Sequence, residues 1–522
     1  MNFSTVDIIV FIGYGVLIVG FGLFISREKK GHTKDSSDYF LAGKALPWWA
    51  IGASLIASNI SAEQFIGMSG SGFALGLGIA TYEWMAALTL IIVAKFFLPI
   101  FIEKGIFTLP QFLEIRYDSR IRTILAVFWV LLYTFVNLTT VLYLSSLALS
   151  VVLGITMTQS ILGLAFVAVA YSIYGGLKAV AWTDVIQVIF LVFGGLITTY
   201  LALNAVSDGH GPLEGLKLLF QKAPEKFDMI LSKENPFYKD LPGISVLVGG
   251  MWIANLSYWG CNQYIIQRAL AAKSVPEAQK GLAFAGYLKL IIPLVVVIPG
   301  IAAFVLHADI ARYDQAYPWL LGNLVPVGIK GLAFAALIAA ALSSLSSMMN
   351  STATIFTMDI YKPFINKNAS EKQLVTIGRL VGLTAIIIAI LVAQPLLGGE
   401  EQIFQFIQKY TGYVSPGIVV LFMFGLFWKR TTGTAALWTA IASVPFSIAV
   451  DLIFPSMPFL DQMGLVFILL SLLIVGISMT ARKTESPKAI KFQAKVFHTE
   501  PIFNALAMGI ILILAALYAI FW

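Results

Sequence analysis

GASLIASNISAEQFIGMSGSGFALG, residues 52–76, is long enough to cross a bilayer, yet it carries Asn59, Ser61, Glu63 and Gln64 at its middle and glycines and serines after them. In hydrocarbon every backbone N–H and C=O needs a partner, so so many helix-weakening residues are tolerated only where the opened backbone lines a cavity or is buried in protein. The stretch therefore predicts a discontinuous helix, whose unwound carbonyls can hold a cation while neighbouring amide side chains hold a polar solute. The alternative is a kinked packing helix whose small residues let neighbours approach.

The rest of the chain agrees with a membrane setting. Of its 522 residues 59% are hydrophobic and 12% charged, and the mean hydropathy is +0.87; apolar runs recur from end to end and leave no soluble region able to bury its own core. A single membrane transport domain, 1–522, is expected. Cys261 is the only cysteine, which excludes a disulfide framework or thiolate metal site. His32, His210, His307 and His498 fall in connecting segments with no ligand spacing. The net charge of +7 is spread over short loops rather than gathered into a nucleic-acid patch. Val6 to Ile25 is too long for a signal-peptide core and has no basic residues before it, so it is read as a retained span.

A hydropathy window of about nineteen residues gives about fourteen helices: 5–26, 48–74, 79–103, 120–153, 159–177, 182–206, 245–269, 279–306, 327–361, 373–397, 401–428, 434–454, 461–481 and 502–521. Alternating loops segregate charge. One side collects Arg27, Lys29, Lys30, Lys34, Lys44, Lys104, Arg116, Arg120, Arg122, Arg268, Lys273, Lys280, Lys362, Lys367, Lys372, Lys429, Arg430, Arg482, Lys483, Lys488, Lys491 and Lys495 and reads as cytoplasmic. The other has uncharged turns near Gly76 and Gly154, an acidic turn at Glu400 and Glu401, and a balanced polar segment, 207–243. Both termini then face outward, in a cell membrane, with a bacterial inner membrane as the setting. Trp48, Trp49, Tyr317, Trp319, Trp428 and Trp522 sit at span ends, as interfacial anchors or as ordinary core aromatics.

The second and seventh spans each open a block of five and each is polar in mid-span. Two consecutive blocks of five must run in opposite directions, which predicts an all-α polytopic fold with a five-plus-five inverted-repeat core: 48–206 and 245–428, preceded by a first helix and loop (1–47) and followed by peripheral helices (434–522).

Polar side chains inside apolar spans carry the functional signal, since an ionised group at mid-bilayer costs roughly 2.5 to 3.5 kcal/mol on insertion scales. The chain keeps Glu63, Gln64, Glu83, Asn137, Asp184, Asn255, Lys289 and Gln408 there. For any one amide the bland reading is a helix-to-helix hydrogen bond worth under about 1 kcal/mol. In the ninth span, AAALSSLSSMMNSTATIFTMDIYK, the hydroxyls of Ser343, Ser344, Ser346, Ser347, Ser351 and Thr352 offer hard oxygen ligands without a carboxylate. That chemistry suits a monovalent cation such as sodium; the competing reading is hydroxyls bonded back to their own preceding turn. Gly70, Gly72 and Gly76 lack dinucleotide-motif spacing, and Asn137-Leu-Thr and Asn255-Leu-Ser are chance glycosylation patterns within spans.

The strings YFLAGKxLPWWAxGASLIAxNISAEQFIGMSGSG, YEWMxAxTLII, VNLTxVLYL, YSIYGGLxAVxWTDVIQV, YWGxNQYIIQR, SSLxSMxNSTATIFTMDIYK and YTGxVSPGI resemble the sodium/solute symporter family, in particular its bacterial sodium/galactose branch, from about Asp35 to the last helix. The resemblance implies a sodium site from the carbonyls of Ala57, Ile60 and Ala340 with the hydroxyls of Ser343 and Ser344. It implies a sugar site from Gln64, Glu83, Asn255, Lys289 and Gln408 with Asn59 nearby. Tyr258 would be an inner gate braced by Asn59, Met68, Tyr82 and Phe404 an outer closure, and Asp184 a stop on sodium's way out. Ala86 departs from the serine the resemblance would put near the sugar, and the segment between His307 and Tyr317 is shorter.

The expectation is thus sodium-driven symport of a neutral hexose, galactose or glucose, by alternating access, with sodium as the coupling ion and neither a nucleic acid nor an obligatory protein partner implied. Another small solute, such as an amino acid, nucleobase or anionic sugar, is the alternative; an anion would want an unpaired cation, and Lys289 has Glu83 to match it. An enzyme would need a metal or a nucleophile with its base, and no catalytic residue is assigned. A sugar sensor would need an output domain.

Overall fold

A backbone in hydrocarbon that cannot bond to water bonds to itself, and most of the described residues are helical. The computed structural model describes residues 4–25, 36–61, 63–398, 403–481 and 485–522. Arg27, Lys29, Lys30 and Lys34, the acidic turn at Glu400 and Glu401, Arg482 and Lys483 lie outside the described residues, as does the side chain of Glu63. Among the described residues the one β contact is a bridge between Leu46 and Ala272.

The elements in chain order are α1 (Thr5–Ile25), α2 (Trp48–Asn59), α3 (Ser69–Leu75), α4 (Leu77–Glu103), α5 (Ser119–Ser150), α6 (Met157–Val206), α7 (Gly250–Gly260), α8 (Gln263–Leu270), α9 (Val275–Val305), α10 (Ile329–Ile365), α11 (Glu371–Leu397), α12 (Ile403–Gly412), α13 (Ser415–Phe427), α14 (Gly433–Ile453), α15 (Phe459–Met479) and α16 (Pro501–Ile520). Among the described residues ten helices are long and apolar enough to cross a membrane, and α12 with α13, bent by 48°, makes an eleventh.

The expected count of about fourteen spans is larger than the number of long apolar helices among the described residues, and the expected discontinuity is present. The second expected span is broken between α2 and α3, with a π-helical turn at Glu63–Met68, and the seventh is broken between α7 and α8. The spans expected at 159–177 and 182–206 join in one element, α6, without the boundary between them. Val167 and Gln187 nevertheless line one crevice beside α1, whereas a straight helix would hold them about 30 Å apart. The two halves of α6 therefore flank α1 together, as two spans would.

Small residues let α2 approach α9 closely. A Cβ on Gly52 would stand 2.7 Å from the Gly281 carbonyl oxygen, and one on Gly281 would stand 2.9 Å from that of Trp48. Close packing and a helix break thus occupy successive parts of one stretch: the packing residues come first, and the break follows at Ile60 and Ser61.

Two arginines expected among loop charges are buried instead. The Arg116 Nε donates to the Gly425 carbonyl at 2.7 Å and its Nη2 to that of Trp428 at 3.0 Å, tying α13 to the short helix Leu109–Arg116. Arg268, on α8, reaches the centre of the bundle. Tyr317, expected at an interface, packs its ring 5.0 Å from Phe65 and is buried, while Trp48, Trp49 and Trp522 are exposed.

Candidate functional site

The break after α2 redirects hydrogen bonds in a way that frees specific carbonyls. In an unbroken helix the Ser61 N–H would bond to Ala57 and the Gln64 N–H to Ile60. Here Ser61 donates to the Asn59 carbonyl at 2.9 Å and Gln64 to the Ser61 carbonyl at 3.2 Å. Ile60 has left helical geometry, with φ −76° and ψ 82°. The carbonyls of Ala57 and Ile60, both named as cation ligands from the sequence, are those whose helical donors are diverted.

The hydroxyl face of α10 meets this break. Ser344 donates to the Ser58 carbonyl at 3.1 Å, and the Ala340 carbonyl lies one helical turn before Ser344. Ser343 is turned the other way and donates its proton to Asp184 Oδ1. A hydroxyl that gives its proton to a carboxylate keeps its lone pairs for a cation. Asp184 Oδ2 also accepts from Ser54 on α2 at 2.5 Å and stands 3.5 Å from the Arg268 guanidinium. Thr352 and Thr354 bond back to their own helix, as the bland reading expects of some hydroxyls in this span.

Beside the break lies a cavity lined by polar and aromatic side chains. Asn59, Gln64, Tyr82, Glu83, Asn255, Tyr258, Phe404 and Gln408 line it, and so does Ala86. Lys289 stands behind the wall rather than on it: its ammonium donates to Glu83 Oε2 and to Asn59 Oδ1 and lies 5.0 Å from the centre of the Trp259 ring. Both members of the pair are buried, so each compensates a charge that would be costly alone. The Gln64 side-chain oxygen, the Tyr82 hydroxyl and the Asn137 side-chain oxygen are buried without a hydrogen-bond partner in the protein, and buried polar atoms of that kind call for a bound solute or water. Asn255 uses its amide nitrogen on the Met251 carbonyl, 3.1 Å away.

Aromatic side chains stand at two edges of the cavity. Tyr82 and Phe404 meet edge to face with ring centres 5.3 Å apart, while Tyr258 accepts a 2.9 Å hydrogen bond from Asn59 Nδ2. Met68 is fully buried but does not line the cavity.

Several residues here escaped sequence reasoning. Ser54, Tyr264 and Arg268 bind the Asp184 cluster together, and Trp129, Trp259 and Asn262 line the cavity. Arg268 was read as a span-end charge because it follows a long apolar stretch. The signal that could have placed it is the pair Cys261 and Asn262, whose non-helical backbone restarts the helix as α8 and carries Arg268 inward.

An all-helical membrane protein whose polar cavity and freed carbonyls meet at an interrupted helix belongs to the class of ion-coupled solute carriers. The comparisons agree and are more specific: the sodium:solute symporter family matches residues 39–443, and the chain belongs to that family. It is a sodium/solute symporter, with sodium as the coupling ion. It is 55% identical to the sodium/glucose cotransporter of Vibrio parahaemolyticus, over 99% of this chain and 98% of that one. It is 35% identical to the human sodium/myo-inositol cotransporter 2, over 84% of this chain and 68% of that one. Among solved structures, a Na+-coupled sialic acid symporter in a substrate-bound outward-open state superposes with a TM-score of 0.79 at 25% identity, covering 93% of this chain and all of that one.

Proposed function

We propose that the protein carries a neutral hexose, galactose or glucose, together with sodium, by alternating access. The observation that carries this reading is the ion pair of Glu83 and Lys289 at the cavity wall. Among the described residues the lining has no lysine or arginine, so a carboxylate-bearing solute finds no unpaired cation there, whereas a neutral polyol finds amides and a charge-polarised carboxylate for its hydroxyls. The Vibrio relative's name supports a hexose and the human relative's name a cyclic polyol.

In this reading Gln64, Glu83, Asn255 and Gln408 bind the sugar, with Asn59 beside them and Lys289 holding Glu83 and Asn59 from behind the wall; Tyr258 is the inner gate and Tyr82 and Phe404 the outer closure, with Met68 packed behind them rather than on the lining. Ala57, Ile60 and Ala340 give sodium their carbonyls, and Ser343 and Ser344 their hydroxyls. Asp184 accepts the Ser343 hydrogen bond and receives sodium on its way out. The five-plus-five repeat, 48–206 and 245–428, supplies the two moving halves, and its broken spans 2 and 7 hold corresponding places in them. The setting is a bacterial inner membrane with both termini outside.

The energetics suffice. One sodium moving down ~100 mV gains about 2.3 kcal/mol and a tenfold gradient adds about 1.4, enough for roughly 500-fold accumulation of a neutral solute.

Sodium-dependent galactose uptake into proteoliposomes, competed by a panel of hexoses, inositol, amino acids and an anionic sugar, tests the reading. Competition by neutral hexoses alone is the expected result; competition by an amino acid or by the anionic sugar at lower concentration would overturn it.

A further inference from the structure

From the cavity, hydrogen bonds run to the Tyr264 hydroxyl, and from the Tyr264 main-chain carbonyl others run through Arg268 to the hydroxyl cluster beside the helix break, the two runs being joined by the covalent frame of Tyr264; Tyr264 and Arg268 line neither the cavity nor the proposed sodium shell. At the cavity end Lys289 joins Glu83 to Asn59. Asn59 donates onward to the Tyr258 hydroxyl at 2.9 Å, and the Tyr258 and Tyr264 hydroxyls share a short hydrogen bond. Either hydroxyl can donate in that pair.

From the other end the Arg268 guanidinium spreads its donors over four elements. Nε donates to Ser54 on α2 at 2.8 Å, and Nη2 donates to Ser347 on α10 at 2.5 Å while facing Asp184 on α6 at 3.5 Å. Nη1 donates to the Tyr264 carbonyl on its own helix. A planar fork of fixed donors holds such a set in one geometry, as a lysine cannot. The guanidinium is fully buried, so its hold on these acceptors cannot be replaced by water without opening the bundle.

We propose that Tyr264 and Arg268 are positioning residues that couple sodium to the sugar. Sodium at Ser343 and Ser344 draws on the acceptors that Arg268 also uses, Asp184 and the hydroxyl face of α10. Occupancy of the ion site therefore changes the hold on Arg268, and through α8 it changes where Tyr264 sets Tyr258 and Asn59. The cavity is shaped for sugar by an ion that never touches it. Coupling of this kind is reciprocal: sugar must tighten sodium by the factor with which sodium tightens sugar.

This inference rests on the sodium and hexose reading, and one experiment separates the two. Galactose affinity is measured on the purified full chain without sodium and with saturating sodium, and their ratio is the coupling factor; sodium affinity with and without galactose gives the same factor independently. If the native protein shows no sodium effect on galactose binding, the sodium and hexose reading fails, whatever Tyr264 does. Given native coupling, Tyr264→Phe removes one hydroxyl, keeps the ring and the main-chain carbonyl, and is expected to cut the coupling factor by about fivefold or more. Any smaller loss overturns the proposal. Arg268→Lys keeps a charge beside Asp184 but cannot bridge Ser54, Ser347 and Tyr264 at once, so the same loss is expected; a merely structural role would lower folded yield and leave the ratio intact in the protein that folds.

Discussion

The hydroxyl of Ser344 donates to the main-chain carbonyl of Ser58 at 3.1 Å, so α10 is fastened to α2 at the end of its last helical turn. Ala57, on the near side of that contact, and Ile60, beyond it, have carbonyls whose helical donors bond elsewhere. In the proposed sodium site these oxygens are already placed at an opened turn braced by a neighbouring helix, and preorganisation of that kind lowers the cost of binding.

Removing one oxygen from that site separates ion binding from folding. Ser343→Ala and Ser344→Ala each delete one hydroxyl from a buried helix and leave its apolar packing residues in place. Each is expected to raise the half-activating sodium concentration of galactose uptake by about tenfold, about 1.4 kcal/mol, with folded yield preserved. Native sodium activation in both variants would place the ion elsewhere.

The charge segregation of the loops makes a topological prediction that does not depend on the site. With Cys261 replaced, single cysteines at Pro236 and at Ser486 are expected to react with an impermeant thiol reagent from opposite sides of the membrane, Pro236 from outside. Labelling of both from one side overturns the order of spans between them.

Much of the site was legible because its residues break a rule of their surroundings. Asn59, Gln64, Glu83 and Lys289 are polar in apolar spans, and hydrocarbon makes each conspicuous. Arg268 and Arg116 broke no such rule: at the end of an apolar run a cation is the ordinary finding, and only the tertiary arrangement turns them inward. Hydropathy likewise locates apolar length but is blind to continuity. It read 245–269 as one span where Gly249, Cys261 and Asn262 interrupt the helix. Met68 was assigned to the outer closure, and its place behind the cavity wall depends on the rotation of the π-helical turn, which no periodicity encodes.

Asp314 gives a prediction about pH. Its carboxylate is buried between α9 and α10, accepts from the Ile403 N–H at the start of α12 at 3.3 Å, and leaves its other oxygen unpartnered. Burial pushes its pKa up to about 7, against the opposing pull of Ile403 and Arg312. The folded state therefore binds a proton that the unfolded chain has already released. The stabilisation is complete below the unfolded value of 3.8 and is lost as pH rises through about 7. Asp314→Asn copies the protonated form and still accepts from Ile403. It is expected to raise the thermal midpoint in detergent at about pH 8 by a margin that shrinks towards about pH 5; a midpoint gain independent of pH would show that another group titrates.

The pair of Glu83 and Lys289 separates a structural role from a binding one. Lys289 donates to both Glu83 and Asn59 from behind the cavity wall, while Glu83 itself lines the cavity. Glu83→Gln keeps size and hydrogen-bonding capacity but strands the buried ammonium, and an uncompensated buried charge costs several kcal/mol, about 3 to 5. The double change of Glu83→Gln with Lys289→Met removes the imbalance. If the pair only holds α4 against α9, the double variant folds and regains transport. If the pair presents a polarised carboxylate to the sugar and holds Asn59 in place for Tyr258, the double variant folds but does not bind, because a neutral amide is a weaker acceptor for a sugar hydroxyl and Asn59 has lost its donor. The second outcome is expected: native-like thermal stability in the double variant, with galactose affinity down by about a hundredfold, some 2.7 kcal/mol. Near-native galactose binding in that variant would reduce the pair to scaffolding and remove the main support for a neutral hexose as the solute.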